Sequence, residues 1–344
     1  MRFIGSKRNL LEDIELVIND NIESAETFFD IFSGTGIVAE YFKKDYKIYS
    51  NDILYFSYVI QKAKIENNTM PSFEKLYEKG IDNPFDYLET FEVNDSKYKE
   101  SSFFLYNNYT PAGEKDRMYL TPENAKRIDF IRLKIEEWKN KDLINEGEYY
   151  YLIACLIEGI PYVSNIAGVY GAYLKKWIDR AKKNFEMEKI DVFNNNKTNK
   201  CYNKDGNELI KNLNGDIIYI DPPYNGRQYV PNYHILETVA EYDYPDIYGV
   251  TGLRPYDDKK SKFCYKSKAA STLDKLIKNN TFNHIIMSYS NHGILDIKDI
   301  ENILKKYGKR ETYKLYKIPY RKYKSKKVKK QKDLYELIFY IENK

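Results

Sequence analysis

Apolar positions recur along this chain in two rhythms. Between Asn9 and about Asn21 they return every three to four residues, the spacing of a helix with one buried face. A short solid run follows, Thr27-Phe28-Phe29-Asp30-Ile31-Phe32, whose length and aromatic content suit a buried strand. Ser33-Gly34-Thr35-Gly36 then makes a tight turn, and Ile37 to Phe42 opens a helix. A second strand, Lys47 to Ser50, ends at Asn51-Asp52 and gives way to a helix reaching Ile60. Strand–helix–strand–helix at this spacing predicts a parallel sheet covered on both faces.

From roughly Met70 to Asn184 the pattern changes. Polar stretches such as Asn94-Asp95-Ser96-Lys97 appear, and Thr121-Pro122-Glu123 marks a helix start with a capping hydroxyl and a proline in the first turn. A further helix, near Glu146 to Ile160, aligns Tyr149, Leu152, Ile153, Leu156 and Ile160, and Pro161 is expected to stop it. Residues 70–184 thus read as a mostly helical insertion between α/β segments 1–69 and 185–344. The α/β rhythm returns with strands at Lys200–Tyr202, Ile217–Asp221 and Ile285–Ser288. A terminal hairpin, Tyr313–Ile318 with Leu334–Ile341, closes the pattern.

Composition narrows the class. With 344 residues, 42% hydrophobic and 31% charged, the chain suits one large α/β domain with an insertion, or two modest domains. No apolar run is long enough for a membrane span, and Met1-Arg2-Phe3-Ile4-Gly5-Ser6-Lys7 lacks a signal-peptide core, so a cytoplasmic protein is expected. Cys155, Cys201 and Cys264 stand far apart, as do His234, His284 and His292, so neither a metal site nor a disulfide framework is expected. No phosphate-binding GxxxxGK[ST] occurs. An excess of Lys, Asn, Ile and Tyr points to an AT-rich, bacterial genome. The net charge of +4 is unevenly placed: eight basic residues and no acid fall between Arg321 and Lys332, leaving the rest of the chain net acidic. That is the footprint of a face that meets a polyanion, or of a solvated lysine-rich loop.

Two segments carry chemistry. Gly34-Thr35-Gly36-Ile37-Val38-Ala39 satisfies G-x-G-x-x-A between a strand and a helix, with Asp52 sixteen residues beyond Gly36. Small residues let the backbone approach a nucleotide, and the later acid can hold ribose hydroxyls. The turn fits a nicotinamide dinucleotide or S-adenosylmethionine equally, or no ligand at all. The second segment, Asp221-Pro222-Pro223-Tyr224, follows four apolar strand residues and so lies just outside the carboxyl end of a buried strand. Its prolines remove two N–H donors, leaving the Asp221 carboxylate and the Pro222 carbonyl as acceptors and Tyr224 as a stacking face. An adenine amino group has two hydrogens to give such acceptors. Its lone pair is delocalised into the ring, and accepting both hydrogens favours the pyramidal geometry in which it attacks a methyl donor.

Together these segments resemble the N6-adenine DNA methyltransferases of the Dam-like and FokI-modification-like class, over nearly the whole chain. The resemblance implies a doubly wound S-adenosylmethionine-dependent methyltransferase fold, a mostly parallel seven-stranded sheet with one antiparallel strand from the terminal hairpin. Phe3, Gly5, Ser6 and Lys7 match the N-terminal cofactor segment. Asp30, Phe32, Gly34 and Gly36 match the Asp-x-Phe-x-Gly-x-Gly loop, Asp52 with the adjoining Ile53 the acid at the second strand's end, and Asp205 the acid near the cofactor's adenine. Asp221, Pro222, Pro223 and Tyr224 match the catalytic tetrapeptide, Asp221 also bordering the cofactor. The cofactor implied is S-adenosylmethionine, with S-adenosylhomocysteine as product and no metal.

The implied partner is double-stranded DNA, its target adenine flipped into the site, with a separately acting restriction endonuclease as a possible companion; a monomer is expected, a dimer remaining open. The 70–184 insertion would read base edges, and Lys324, Lys326 and Lys327 would grip phosphates. Asn165, Lys176, Arg227 and Gln228 are candidates for the DNA face, though Arg227 fits a structural salt bridge equally, and His234 reads as a helix-start histidine satisfied by backbone. Competing readings are cytosine-N4 or RNA-adenine methylation, a nicotinamide-dependent oxidoreductase, and an inactive DNA-binding relative.

Overall fold

The computed structural model describes residues 3–319 and 335–344. The basic run from Arg321 to Lys332, with the predicted phosphate contacts Lys324, Lys326 and Lys327, lies outside them. The described residues form two compact units. A sheet unit takes Ile4–Ile53, Asn195–Gln228 and the described part of Lys260–Lys344; a helical unit takes Phe3, Leu54–Asn194 and Tyr229–Lys259.

The sheet unit is built on strands β1 (Thr27–Asp30), β2 (Lys47–Asn51), β3 (Lys200–Tyr202), β4 (Ile217–Ile220), β5 (His284–Ser290), β6 (Lys314–Pro319) and β7 (Tyr335–Glu342). They lie in the order β3-β2-β1-β4-β5-β7-β6. The first five are parallel, and β7 enters antiparallel to β5 with β6 paired antiparallel beside it. This is the expected methyltransferase sheet. Strand order reverses between β1 and β4, and the carboxyl ends flanking such a switch point are where ligands bind in open α/β sheets.

Side-chain alternation assigns the faces. Phe29 and Ile31, Ile218 and Ile220, Ile285 and Met287, and Leu337, Phe339 and Ile341 pack into one buried cluster with Ala269, Leu273, Leu276 and Ile277 of helix Lys266–Lys278 and with Ile300 and Leu304 of helix Ile297–Tyr307. On the opposite face Phe28 stacks against Phe42 at 4.7 Å and Tyr219 at 6.1 Å between ring centroids. Strand β4 is buried at every position, hence its unbroken apolar sequence.

The helical unit is larger than the expected 70–184 insertion because two flanking helices pack into it. Helix Tyr55–Gln61 and helix Val230–Glu241 meet through Phe56 and Tyr233, 5.4 Å apart, and the Glu237 carboxylate accepts the Tyr55 and Phe56 backbone N–H groups. Helix Pro122–Asn140 starts as predicted, with the Thr121 hydroxyl accepting from Asn124 N. Helix Glu146–Val163 corrects the expectation for Pro161, which lies inside it. So near the end the ring removes only one helical bond, and the Ser164 hydroxyl takes the Ile160 carbonyl at 2.7 Å. Among the described residues no helix is long and apolar enough to cross a membrane.

Candidate active site

In the sheet unit the glycine loop leaves β1 on a strained path. Gly34 has φ +52° and Gly36 φ +80°, conformations that disfavour any side chain. Ser33 N donates to Asn51 O at 2.9 Å, and Gly34 N donates to an Asp52 carboxylate oxygen at 2.8 Å, so the loop is tied to the tip of β2. Asp30 beneath the loop is buried and accepts the Ser33 hydroxyl at 2.9 Å. Burial pushes its carboxyl up to about 8 against the pull of that hydrogen bond, so it is mostly neutral at pH 7.

The next tip, past β3, closes this edge. The Asn203 side chain donates to Asp52 O, and exposed Asp205 caps the short helix Gly206–Leu209 by accepting Asn207 N at 2.8 Å. Gly206 approaches so closely that a Cβ there would lie 3.2 Å from both Ile31 and Phe32. Phe32 packs edge-on against Phe263, and Ile53 is half-buried beside Asp52.

Asp221 emerges from β4, the strand directly paired with β1, so the tetrapeptide and the glycine loop share one sheet edge. Its two carboxylate oxygens are used differently. Oδ1 receives the Lys7 ammonium at 3.0 Å and the Ser288 hydroxyl at 3.1 Å, while no hydrogen bond among the described residues reaches Oδ2. Lys7 is itself buried, and its ammonium stands 5.3 Å from the Tyr224 ring centre. Burial works to discharge Lys7, but Asp221 and Glu336 outweigh it and raise its pKa, so the cation persists. Burial likewise pushes Asp221 up, opposed by Lys7 and Ser288. Pro222 is buried and Pro223 half-buried; half-buried Tyr224 meets Tyr289 edge-on at 6.3 Å.

The structure thus gathers Lys7, Asp30, Gly34, Gly36, Asp52, Asp205, Asp221 and Tyr224 into one unit, with Gly5 in a left-handed turn (φ +80°) and Ser6 exposed ahead of Lys7. Phe3 belongs to the helical unit, stacked on Tyr233 at 4.9 Å and Tyr229 at 5.7 Å. Three expectations change. Asn165 is fully buried: its side-chain nitrogen donates to Met118 O and Leu174 O, and its oxygen accepts Ile178 N, so it anchors a loop instead of facing DNA. Gln228 exchanges two hydrogen bonds with the Ser261 backbone, which occupies both ends of its amide. His234 is satisfied by backbone as expected, Nε2 on Tyr170 O at 2.9 Å, but it lies within helix Val230–Glu241, not at its start, and burial pulls its pKa down to about 4. Arg227 is exposed and joins no ion pair among the described residues; Lys176 is also exposed.

Glu336 and Ser288 join the site without a local signal in the sequence. Both sit on strands, and only the register β4–β5–β7 brings them beside Asp221.

A model of the D12 class N6 adenine-specific DNA methyltransferases matches residues 3–303. Among curated relatives, Type II methyltransferase M.FokI of Planomicrobium okeanokoites is 55% identical over 99% of this chain and 52% of its own length. Modification methylase StsI of Streptococcus sanguinis is 47% identical over 100% of this chain and 52% of its own length. The chain spans about half the length of these relatives. Type II methyltransferase M.NlaIII of Neisseria lactamica is 37% identical over 95% of this chain and 93% of its own length. With the motif, the sheet order and the shared edge in agreement, this chain belongs to the D12 class N6 adenine-specific DNA methyltransferases.

Proposed function

We propose that this protein transfers a methyl group from S-adenosylmethionine to N6 of an adenine extruded from double-stranded DNA, at a specific sequence, as a modification enzyme of a restriction–modification system or a solitary methylase. One observation carries the reading: Lys7 and Ser288 hold Asp221 through Oδ1 while no hydrogen bond among the described residues reaches Oδ2, on the edge that bears the glycine loop.

The fit to the cofactor rests on this chain's own features. Gly34 and Gly36 give a backbone path that leaves room for a nucleoside, and Asp52 and Asp205 stand at neighbouring strand tips to receive ribose hydroxyls and adenine. The cofactor supplies a sulfonium-activated methyl group. Asp221 Oδ2 and the Pro222 carbonyl accept the two adenine amino hydrogens, orienting the nitrogen lone pair towards that methyl. Asp221 Oδ2 would receive the amino proton as the N6–methyl bond formed and the sulfur–methyl bond broke, its electron pair leaving with S-adenosylhomocysteine, so no covalent enzyme intermediate is required. Tyr224 stacks on the extruded base, a contact worth about 1–3 kcal/mol. Residues 70–184 contribute the surface that reads the target, and exposed Lys176 and Arg227, with Lys324, Lys326 and Lys327, contact phosphate.

The test is product identity. Unmodified genomic DNA incubated with the protein and S-adenosylmethionine, then digested to nucleosides, should contain N6-methyldeoxyadenosine by mass spectrometry, and Asp221→Ala should yield none. N4-methyldeoxycytidine instead, or product from Asp221→Ala, would overturn the assignment.

A further inference from the structure

The Lys7 ammonium does not belong to Asp221 alone. Glu336, the second residue of β7, places Oε2 at 3.8 Å from Lys7 Nζ, against 3.0 Å for Asp221 Oδ1. Sheet register dictates this convergence: Glu336 pairs with Ser290 and Ile338 with Ser288, so Glu336 shares a face with the serine that also holds Asp221. Glu336 is buried, and Oε2 accepts no hydrogen bond among the described residues. A carboxylate oxygen left in that state is costly unless a charge nearby stabilises it, and the partner present is Lys7. One buried cation therefore stands between two carboxylates, and the ionised trio is net negative.

A carboxylate paired one-to-one with a buried ammonium has its basicity lowered by the full field of that cation. A second carboxylate opposes that field. We propose that Glu336 is a positioning residue for methyl transfer, sharing the Lys7 ammonium with Asp221 and so keeping the Asp221 carboxylate basic enough to accept the adenine amino hydrogens. The inference rests on the reading of Asp221 given above and deepens it.

The titratable groups acting on this pair are Lys7 from the N-terminal segment, Tyr219 and Tyr224 flanking Asp221, and Asp30 from the tip of β1. The serines contributed by β5 do not titrate in this range. Removing the Glu336 charge lowers the pKa of Asp221, so the acid limb of the rate profile moves to lower pH, while the plateau rate falls because the acceptor is weaker.

Single-turnover methyl transfer to unmodified genomic DNA, followed from about pH 5 to pH 9, reads both effects. Glu336→Gln should shift the acid limb down by roughly 0.5–1 pH unit and reduce the plateau about tenfold. Glu336→Asp retains the charge and should restore the limb and most of the rate; it also keeps the test available if the glutamine variant folds poorly. A uniform loss with the limb unmoved, which a lost packing contact produces, would overturn the proposal. So would a wild-type profile from Glu336→Gln, or a loss in Glu336→Asp as deep as in Glu336→Gln. Asp221→Asn separates the levels: activity there sinks the underlying reading, whereas an inactive Asp221→Asn with an unmoved Glu336→Gln limb sinks this inference alone.

Discussion

Buried carboxylates occur in both units of this protein, and they are used in opposite ways. In the helical unit Glu237 accepts Tyr55 N through Oε1 and Phe56 N through Oε2, and Lys259 pairs with it as well. Asp129 takes Leu105 N and the Tyr242 hydroxyl on Oδ1 and Tyr106 N on Oδ2. Glu148 takes Phe73 N and Asn145 N on separate oxygens. Each satisfies donors that a helix start or a turn leaves over, and neither oxygen remains. In the sheet unit Asp221, part-exposed at a strand tip, has one oxygen fixed while no hydrogen bond among the described residues reaches the other. The helical-unit acids are scaffold; an oxygen left at an accessible strand tip is available for chemistry.

The sharpest way to break this contrast is to neutralise one member from each unit. Asp221→Asn should lower methyl transfer by about a thousandfold or more with S-adenosylmethionine affinity by calorimetry little changed. Glu237→Ala should do the reverse: a loss of about 3–5 kcal/mol in denaturant unfolding, because the Tyr55 and Phe56 N–H groups lose their acceptor and Lys259 is left with Glu241 alone, with cofactor affinity per folded molecule unchanged. Comparable losses of transfer in both would erase the distinction.

Asp30 sharpens it further, being buried like the scaffold acids yet placed under the glycine loop. Its folded pKa of about 8 lies above the ordinary carboxylate value of 3.8, so the unfolded chain releases that proton first as pH rises. Stability from this group is therefore complete below about pH 4 and is lost through pH 8. Asp30→Asn should flatten that decline, adding on the order of 2 kcal/mol near pH 8.5 and nothing at the acid end, as read by unfolding temperature against pH. A parallel decline in the variant would contradict the assignment. The smallest effect belongs to the exposed groups: Arg227→Ala should weaken DNA binding severalfold and reduce the salt slope of log affinity by about one, with transfer at saturating DNA nearly unchanged.

What the sequence disclosed follows this division. Motifs contiguous in the chain were legible, because a strand, a glycine turn and a following acid fall within a few residues of each other: Asp30 to Gly36, Asp52 and Asp221 to Tyr224 all lie where expected. The sheet was legible because β4 is apolar throughout, β5 holds the apolar run Ile285–Met287, and β7 holds the run Leu337–Ile341. Asn165 and Gln228 face inward although expected at the DNA face, because a polar side chain in a loop reads the same whether it meets solvent or buried backbone; His234 is satisfied by backbone as expected, but one turn into its helix. Pro161 was misread because one lost bond near a helix end is tolerated. Glu336 was invisible because it reaches Lys7 only through strand register across more than three hundred residues of sequence.

The most direct measurement is a crystal structure of the protein with a non-reactive cofactor analogue and a duplex carrying its target, the target first identified by methylation-sensitive sequencing. An extruded adenine is expected, with N6 about 2.8–3.2 Å from Asp221 Oδ2 and from the Pro222 carbonyl and Lys7 still on Oδ1. An adenine left stacked in the duplex, or N6 held by other groups with Oδ2 turned away, would contradict it.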